Sequence, residues 1–377
     1  TIKIPVTKRA LVIGGGIAGI QAALDIADGG HEVILVEKEA SIGGHMSQLS
    51  ETFPTLDCSQ CILTPRMVEV YQHPRIKLMA YSEVDAVEGY IGTFRVRIRQ
   101  KARSVDETRC NGCGACQKAC IVKNVPSEFD AGLGKRTAMY VPFPQAVPNI
   151  PVIDRDRCAY FKGKARGMKK DACGKCRDAC SRGAVDFAQE DRFVTEKVGA
   201  IVVATGFDLY SVGKEQSSPG VKGYGEYGYG TIPDVVTSME YERLLSSSGP
   251  CMGHLTRPSD SKEPRRIAWI QCVGSRNTNR CANGYCSSVC CMYAIKEALV
   301  TAEHTSGGGL EQTIFFMDIR SHGKDFDRFY EGAKAKGVRF VRARPHSIEP
   351  GGGNSGVVIR YTTEEGRTRV EESDLAV

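Results

Sequence analysis

ALVIGGGIAGIQAALDIADGGHEVILVE, Ala10–Glu37, is the stretch on which the fold turns. A short apolar run, Ala10–Ile13, leads into Gly14-x-Gly16-x-x-Gly19. A helical pattern follows to about Ala27, and a second apolar run, Val33–Val36, ends at Glu37. Strand, glycine turn, helix, strand and acid in this order predict a βαβ dinucleotide-binding unit. Gly14 permits the tight turn. Gly16 lets the backbone approach a pyrophosphate, and Gly19 lets helix and strand pack closely. The helix N-terminus offers the phosphates its open N–H groups and positive dipole end. Glu37, with Lys38 beside it, is placed for the ribose hydroxyls.

Two features favour FAD over NAD. Gly43–Gly44 follows Glu37 at the interval found in flavoprotein disulfide reductases, and Ile201–Phe207 (IVVATGF) resembles the segment that closes their FAD domain, with Ala204, Thr205 and Gly206 at the flavin. On its own IVVATG reads equally well as a buried strand ending in a turn.

Between these two signals lies a stretch foreign to a flavin domain. Arg95–Arg103 alternates like a strand. Cys110, Cys113, Cys116 and Cys120 then form C-x-x-C-x-x-C-x-x-x-C, the iron–sulfur ligand run of bacterial ferredoxins. A second, stretched run holds Cys158, Cys173, Cys176 and Cys180, with fourteen residues between the first two. In two-cluster ferredoxins the fourth cysteine of each run serves the other cluster. One [4Fe–4S] cluster is therefore expected on Cys110, Cys113, Cys116 and Cys180, and another on Cys158, Cys173, Cys176 and Cys120. Ile121 and Ser181 stand where ferredoxins usually place proline. Arg155–Arg182 carries ten Lys or Arg against three Asp; this suits charge compensation for anionic clusters, or a docking face for an acidic electron carrier.

A second Rossmann pattern follows: strand Arg266–Gln271, helix Val289–Thr301, strand Thr313–Ile319, helix near Phe326–Lys336, strand Val338–Arg342. Its turn lacks the phosphate-binding glycines and holds Cys272, Cys281, Cys286, Cys290 and Cys291 instead. A phosphate needs open N–H groups at that turn, and a metal cluster would block them. An iron–sulfur cluster is expected there in place of NAD(P)H, although spacing leaves open which four cysteines hold it. Gly220–Gly230 reads as a Gly/Tyr loop and Gly249–Pro264 as a linker.

The chain has 377 residues, 41% hydrophobic and 25% charged, with a net charge of +6. That is an ordinary composition for a soluble globular protein of two or three domains. Apolar runs fall short of the ~18 residues a membrane span needs. Thr1–Arg9 leads straight to the first strand, so no secretory leader is expected. A chain of this size can bury a core without disulfides, so its 16 cysteines suggest a reducing cytoplasm, with membrane attachment only through other subunits. The seven histidines show no metal-ligand spacing, and dispersed basic charge gives no nucleic-acid signature.

Three motifs carry a family resemblance: Leu56–Pro65 (LDCSQCILTP), Tyr140–Pro148 (YVPFPQAVP), and Ile270–Arg276 with Tyr285–Ala294 (IQCVGSR and YCSSVCCMYA). Together they resemble the flavin-containing A subunit of heterodisulfide reductase across essentially the whole chain. The resemblance implies a thioredoxin-reductase-like two-Rossmann α/β flavoprotein with an inserted two-cluster α+β ferredoxin domain. The expected boundaries are 1–107 for the first part of the FAD domain, 108–190 for the ferredoxin, 191–265 for the FAD continuation and linker, and 266–377 for the second Rossmann unit. It further implies FAD and several [4Fe–4S] clusters, the third held by Cys272, Cys286, Cys290 and Cys291 with Cys281 spare. The function implied is electron relay or bifurcation at the flavin of a multi-subunit oxidoreductase.

The implied partners are the other subunits of such a complex, in an oligomer. Further candidates are a ferredoxin and a hydrogenase- or dehydrogenase-linked subunit. Methanogen members add an N-terminal cluster domain and a C-terminal ferredoxin domain that this sequence does not include. The second Rossmann unit should be followed by a return segment that completes the FAD site, so either the sequence is part of a longer chain or the remainder lies elsewhere. Cys58 and Cys61 admit three readings: buried structural thiols, a redox dithiol, or half of a fourth cluster site completed by another chain. A disulfide reductase using that pair, and a non-catalytic wiring scaffold, are the competing functions. The terminal substrate is not legible.

Overall fold

The computed structural model describes residues 6–167, 173–209, 227–279, 283–305, 308–354 and 356–377. Cys281 and the first part of the Gly220–Gly230 loop lie outside the described residues. The chain divides into two compact units: Thr1–Gln48 with Ser59–Gly206, and Leu49–Cys58 with Phe207–Val377. No described helix is long and apolar enough to cross a membrane.

The first unit runs β1 (Arg9–Ile13), α1 (Ile17–Asp28), β2 (Glu32–Val36), α2 (Ser59–Gln72), β3 (Ile76–Met79), β4 (Ser82–Glu88) and β5 (Phe94–Gln100). The cysteine-rich insert contains α3 (Ala115–Ala119), β6 (Val125–Pro126), β7 (Lys135–Arg136), β8 (Met139–Tyr140), β9 (Val152–Ile153), α4 (Ala159–Ala165) and α5 (Lys175–Asp178). The unit closes with β10 (Arg192–Val198) and β11 (Ala200–Val203). Strands β3, β2, β1 and β11 form a parallel sheet in that order.

Both faces of this sheet are covered, which is why β1 and β2 read as unbroken apolar runs. Leu11, Ile34 and Val36 pack towards the antiparallel β4–β5–β10 meander. Val12, Val33 and Leu35 pack towards α1 and α2. Helix α1 buries Gly19, Ile20, Ala23, Leu24 and Ala27, a stripe at helical spacing. Burying each Leu, Ile or Val side chain stabilises the unit by about 1.5–3 kcal/mol.

The insert sits in the hairpin between β5 and β10. Gln100 and Arg192 are direct antiparallel partners, so the chain leaves and re-enters the meander at adjacent points. A loop whose ends already touch accepts a long insertion at small entropic cost. Backbone bonds from Asp106 N to Ala184 O (2.7 Å) and from Asp186 N to Ser104 O (3.0 Å) staple the neck of the insert. Its strands are two residues long. Its small core mixes Cys116, Cys158 and Cys176 with residues such as Val105, Ile153 and Phe187.

The second unit repeats the plan of the first. It contains α6 (Ser238–Leu245), β12 (Arg266–Ile270), α7 (Cys290–His304), β13 (Glu311–Phe316), α8 (Phe326–Ala335) and β14 (Arg339–Arg342). The strands β15 (Ser347–Pro350), β16 (Val357–Thr362), β17 (Thr368–Ser373) and β18 (Leu375–Ala376) follow. A parallel sheet ordered β14, β13, β12, β18 is backed by the antiparallel β15–β16–β17 meander. Strand β13 begins two residues before, and ends three residues before, the stretch expected from sequence. Residues 249–264 contain neither helix nor strand.

Helix α6 opens with a capping box in which Thr237 Oγ1 accepts from Glu240 N (3.2 Å) and Glu240 Oε2 accepts from Thr237 N (2.6 Å). Glu242 of α6 and Lys296 of α7 form a fully buried ion pair. Glu242 also accepts from Ser50 N (2.9 Å) and Ser50 Oγ (3.1 Å). Trp269 Nε1 donates to Glu297 Oε2 (2.8 Å), and burial holds the Glu297 carboxyl well above the usual range. Removing one member of a buried ion pair typically costs about 3–5 kcal/mol, because its partner stays buried and uncompensated. Lys296→Met should therefore lower the thermal midpoint of this unit markedly, read by Trp269 fluorescence, since Trp269 is the chain's sole tryptophan. An unchanged midpoint would show that the pair carries little of the unit's stability.

Candidate functional site: a dinucleotide turn and three cysteine sites

In the β1–α1 turn the glycines do different jobs. Gly14 has φ +105° and closes the turn by donating to Val36 O (2.8 Å). A Cβ on Gly14 would lie 2.3 Å from Ala204 O, and one on Gly19 would lie 1.9 Å from Gly14 O. Both glycines are required by the protein's own packing. Gly16 differs: it caps α1 at φ −73°, and a Cβ there would meet nothing nearer than Gly44 Cα at 4.0 Å. The fold does not demand glycine at this position. A glycine here would suit the close approach of a phosphate, and the open N–H groups of α1 face the same space.

Gly43 N donates to Gly15 O (2.7 Å), and a Cβ on Gly44 would lie 2.9 Å from Gly16 Cα. The Gly43–Gly44 pair thus forms a wall of the turn. Ala204 N donates to Ile13 O (2.8 Å), which brings the 204–206 segment to the same strand ends. Gly206 has φ +71°, and Thr205 is exposed. Glu37 is buried, and its carboxylate accepts from Gly15 N (2.6 Å) and Glu39 N (2.8 Å). Burial raises its pKa despite those bonds. Lys38 is exposed, its carbonyl accepting from Lys101 Nζ (2.6 Å).

In the insert, Cys120, Cys158, Cys173 and Cys176 line one concavity. Its apolar walls include Met139, Ile153, Tyr160 and Phe187, and the last two rings stack at 4.0 Å. Burial pushes Cys176 up to about 12, and the nearby thiols of Cys158, Cys120 and Cys173 push the same way. Cys158 is raised by burial too.

At the other site burial pushes Cys116 up to about 11, with Cys110 and Cys180 as like-charged neighbours. Cys180 is partly desolvated, but backbone N–H bonds from Ala184, Arg182, Val185 and Gly183 outweigh this and lower its pKa; Ala184 N lies 3.3 Å from its sulfur. Gly112 N points at Cys110 Sγ (3.4 Å), and Cys113 is exposed on the same loop. Desolvated thiols crowded together stay protonated unless a cation joins them, and bound metal deprotonates a coordinating thiol outright. Among the described residues no group of three His, Cys, Asp or Glu is set for a single metal ion. Thiols spread around a concavity suit a larger multi-iron core.

The third site stands where the second unit's β12 feeds α7. Cys272 has φ +61°; Cys272 and Cys291 are buried. Cys290 is held far below its usual range, first by hydrogen bonds from the Cys272 and Cys291 thiols. Those bonds push Cys272 and Cys291 upwards. Cys286 is half-buried on the preceding loop, its sulfur accepting from Ser288 N (3.3 Å). Arg276, which the sequence reading did not single out, hydrogen-bonds Cys272 and pairs with Asp318. Its place in Ile270–Arg276 was the available signal.

Cys58 is exposed and bridges Glu51 in the second unit's 49–58 segment. Cys61 is exposed on α2 of the first unit. Neither is a buried structural thiol.

Residues 10–131, which hold the glycine turn and part of the covered parallel sheet, match the family model of the FAD-dependent oxidoreductases. The A 2 iron–sulfur subunit of CoB–CoM heterodisulfide reductase from Methanopyrus kandleri is 50% identical over 379 residues, covering 100% of this chain and 54% of that one. The A iron–sulfur subunit from Methanocaldococcus jannaschii is 45% identical over 376 residues, covering 99% and 53%. Thioredoxin reductase from T. acidophilum is similar at 13% identity and a TM-score of 0.45, covering 98% of this chain and 76% of that one. The chain is thus similar over its whole length to heterodisulfide reductase A subunits, as the three motifs suggest, and it spans about half the length of the curated relatives it matches.

The two kinds of glycine can be told apart. Gly16→Val should abolish flavin binding while leaving the insert's iron content, and the thermal midpoint compared between flavin-free forms, unchanged. Gly19→Ala should lose flavin and also destabilise the unit, by about 1–3 kcal/mol for an overpacked core. Full flavin content in Gly16→Val would contradict the assignment of this turn.

Proposed function

We propose that the chain is the flavin and iron–sulfur electron-transfer part of a multi-subunit, heterodisulfide-reductase-like oxidoreductase, its flavin relaying or bifurcating electrons. FAD lies along the Gly14–Gly19 turn with its ribose at Glu37. Three [4Fe–4S] clusters occupy Cys110/Cys113/Cys116/Cys180, Cys120/Cys158/Cys173/Cys176, and Cys272/Cys286/Cys290/Cys291. When bound, the flavin exchanges electron pairs and each cluster single electrons.

The observation that carries this reading is the repeated architecture. Both units run a parallel strand into a helix at the same topological place, yet one turn is glycine and the other is cysteine. Gly16 leaves room for the pyrophosphate, and the start of α1 supplies N–H donors. The N–H groups around Cys180 stabilise its thiolate before any iron arrives. Around the second cluster site, apolar side chains exclude water. In the second unit, Cys272 and Cys290 fill the space a nicotinamide dinucleotide's phosphates would need.

Cys58 and Cys61 supply two ligands of a further cluster, completed by cysteines of another polypeptide. Two thiolates cannot fill the usual four positions, and exposure leaves both accessible to a partner. The exchange partners are other subunits of the complex. Electrons are supplied or accepted by a ferredoxin or by a hydrogenase- or dehydrogenase-linked subunit.

The flavin of the anaerobically purified chain should remain oxidised on mixing with NADH or NADPH, yet bleach with a reduced one-electron donor. Rapid bleaching by either nicotinamide would show that the second unit keeps a hydride-donor site.

A further inference from the structure

We propose that Arg103 and the strap 140–149 are positioning elements that make flavin binding at the Gly14–Gly19 turn depend on the Cys110/Cys113/Cys116/Cys180 site. With that site loaded, the strap holds the wall of the turn in place and flavin binds tightly. With it empty, the wall loosens and flavin binds weakly. The inference rests on the reading that the turn takes FAD and the site takes a cluster, and it adds that the two are linked.

The strap carries the motif YVPFPQAVP, in which no residue is a candidate ligand. Pro142, Pro144 and Pro148 lock their own φ angles, so the segment is stiff. One end meets the cysteine loop. Gly112, between Cys110 and Cys113, has φ +71°, and a Cβ there would lie 2.9 Å from Asn149 O. The strap's middle enters the core of the flavin domain, where Phe143, Ala146 and Val147 are buried with Ile42.

There the strap joins the wall of the turn. Ile42 N donates to Val147 O (3.0 Å), and Val147 N donates to Ser41 Oγ (2.8 Å). The next residue, Gly43, donates to Gly15 O (2.7 Å). The Ile42 side chain also covers Gly15, where a Cβ would lie 2.5 Å from Ile42 Cγ2. A line of close contacts thus runs from the cysteine loop through Asn149, Val147 and Ile42 to the turn.

Arg103 ties the same two parts together. It is 2% exposed. Its Nη2 donates to Ala40 O (2.8 Å) at the start of the wall, and its Nη1 donates to Ile150 O (3.3 Å) just past the strap. Its ion-pair partner Glu107 stands shortly before Cys110. An arginine that only braced the insert would need acceptors in the insert alone. Arg103 has one carbonyl on each side, and its rigid planar fork fixes the spacing between them. Cluster loading orders a cysteine loop that has no other cross-link, so its two states are passed to the wall. A coupling of this kind is reciprocal.

The test titrates FAD into the deflavinated, anaerobically purified full chain, followed by the quenching of flavin fluorescence. The unaltered chain is compared with C110A/C113A, with R103M, and with all three changes combined. C110A/C113A should carry about four fewer irons and bind FAD about tenfold or more weakly. R103M should keep its iron and weaken FAD to a similar degree. The combined variant should bind no more weakly than the weaker of the two, because both changes cut one path. S41A, which removes only the bond from Val147 N, should weaken FAD by less, with iron content and circular dichroism unchanged. If R103M does not fold, S41A combined with C110A/C113A carries the same comparison. By reciprocity, bound FAD should slow the loss of iron to a chelator in the unaltered chain but not in R103M.

Unchanged FAD affinity in C110A/C113A would overturn the proposal. So would additive losses in the combined variant, which would give Arg103 a separate structural role, or iron loss indifferent to FAD. An unaltered chain that takes up no FAD, or whose insert holds no iron, would overturn the reading of those sites, and the proposal with it.

Discussion

A strand that runs into the start of a helix leaves one small space in front of the turn, and that space can hold exposed backbone N–H groups or side chains, but not both. The two units of this protein meet that constraint in opposite ways. In the first, Gly14 and Gly19 let strand, helix and the 204–206 segment close to contact, and Gly16 leaves the space empty. In the second, Cys272, Cys290 and Cys291 stand at the equivalent place with mutually hydrogen-bonded sulfurs. The sheets, their strand order and the backing meanders are alike. The chemical difference between the units is therefore local to the turn.

The insert obeys a second constraint. It enters and leaves at Gln100 and Arg192, neighbours in the β5–β10 hairpin, so its path does not interrupt the pairing of the meander. In return the insert has little regular structure and a small core in which cysteines take apolar positions. Such a core is poorly stabilised by burial alone. On the proposed reading, iron supplies the missing cross-links, so that folding of the insert and cluster loading are coupled.

The parts that were legible in the sequence are those with a period. Ala10–Val36 shows two buried strands around an amphipathic helix, and β12 and α7 lie within a residue or a few of the expected stretches. The two-residue strands of the insert carry no period, and its neck is made by backbone pairs such as Asp106 with Ala184, which no residue type announces. The buried Glu242–Lys296 pair joins residues 54 apart, and each looks like a surface charge in its own helix. Cys180 was legible as a candidate ligand from spacing, but the ring of N–H groups that favours its thiolate follows from the turn at 181–185. Glu37 was legible as an acid after β2, while its bond to Gly15 N appears only once the turn is built.

The most direct test is a count of iron, acid-labile sulfide and flavin in the anaerobically purified chain. Three four-cysteine sites predict about twelve irons and as many sulfides per chain, with one FAD. About eight irons, with the cysteines of the β12–α7 turn open to alkylation, would mean that this turn holds no cluster and that the contrast between the two units has another cause.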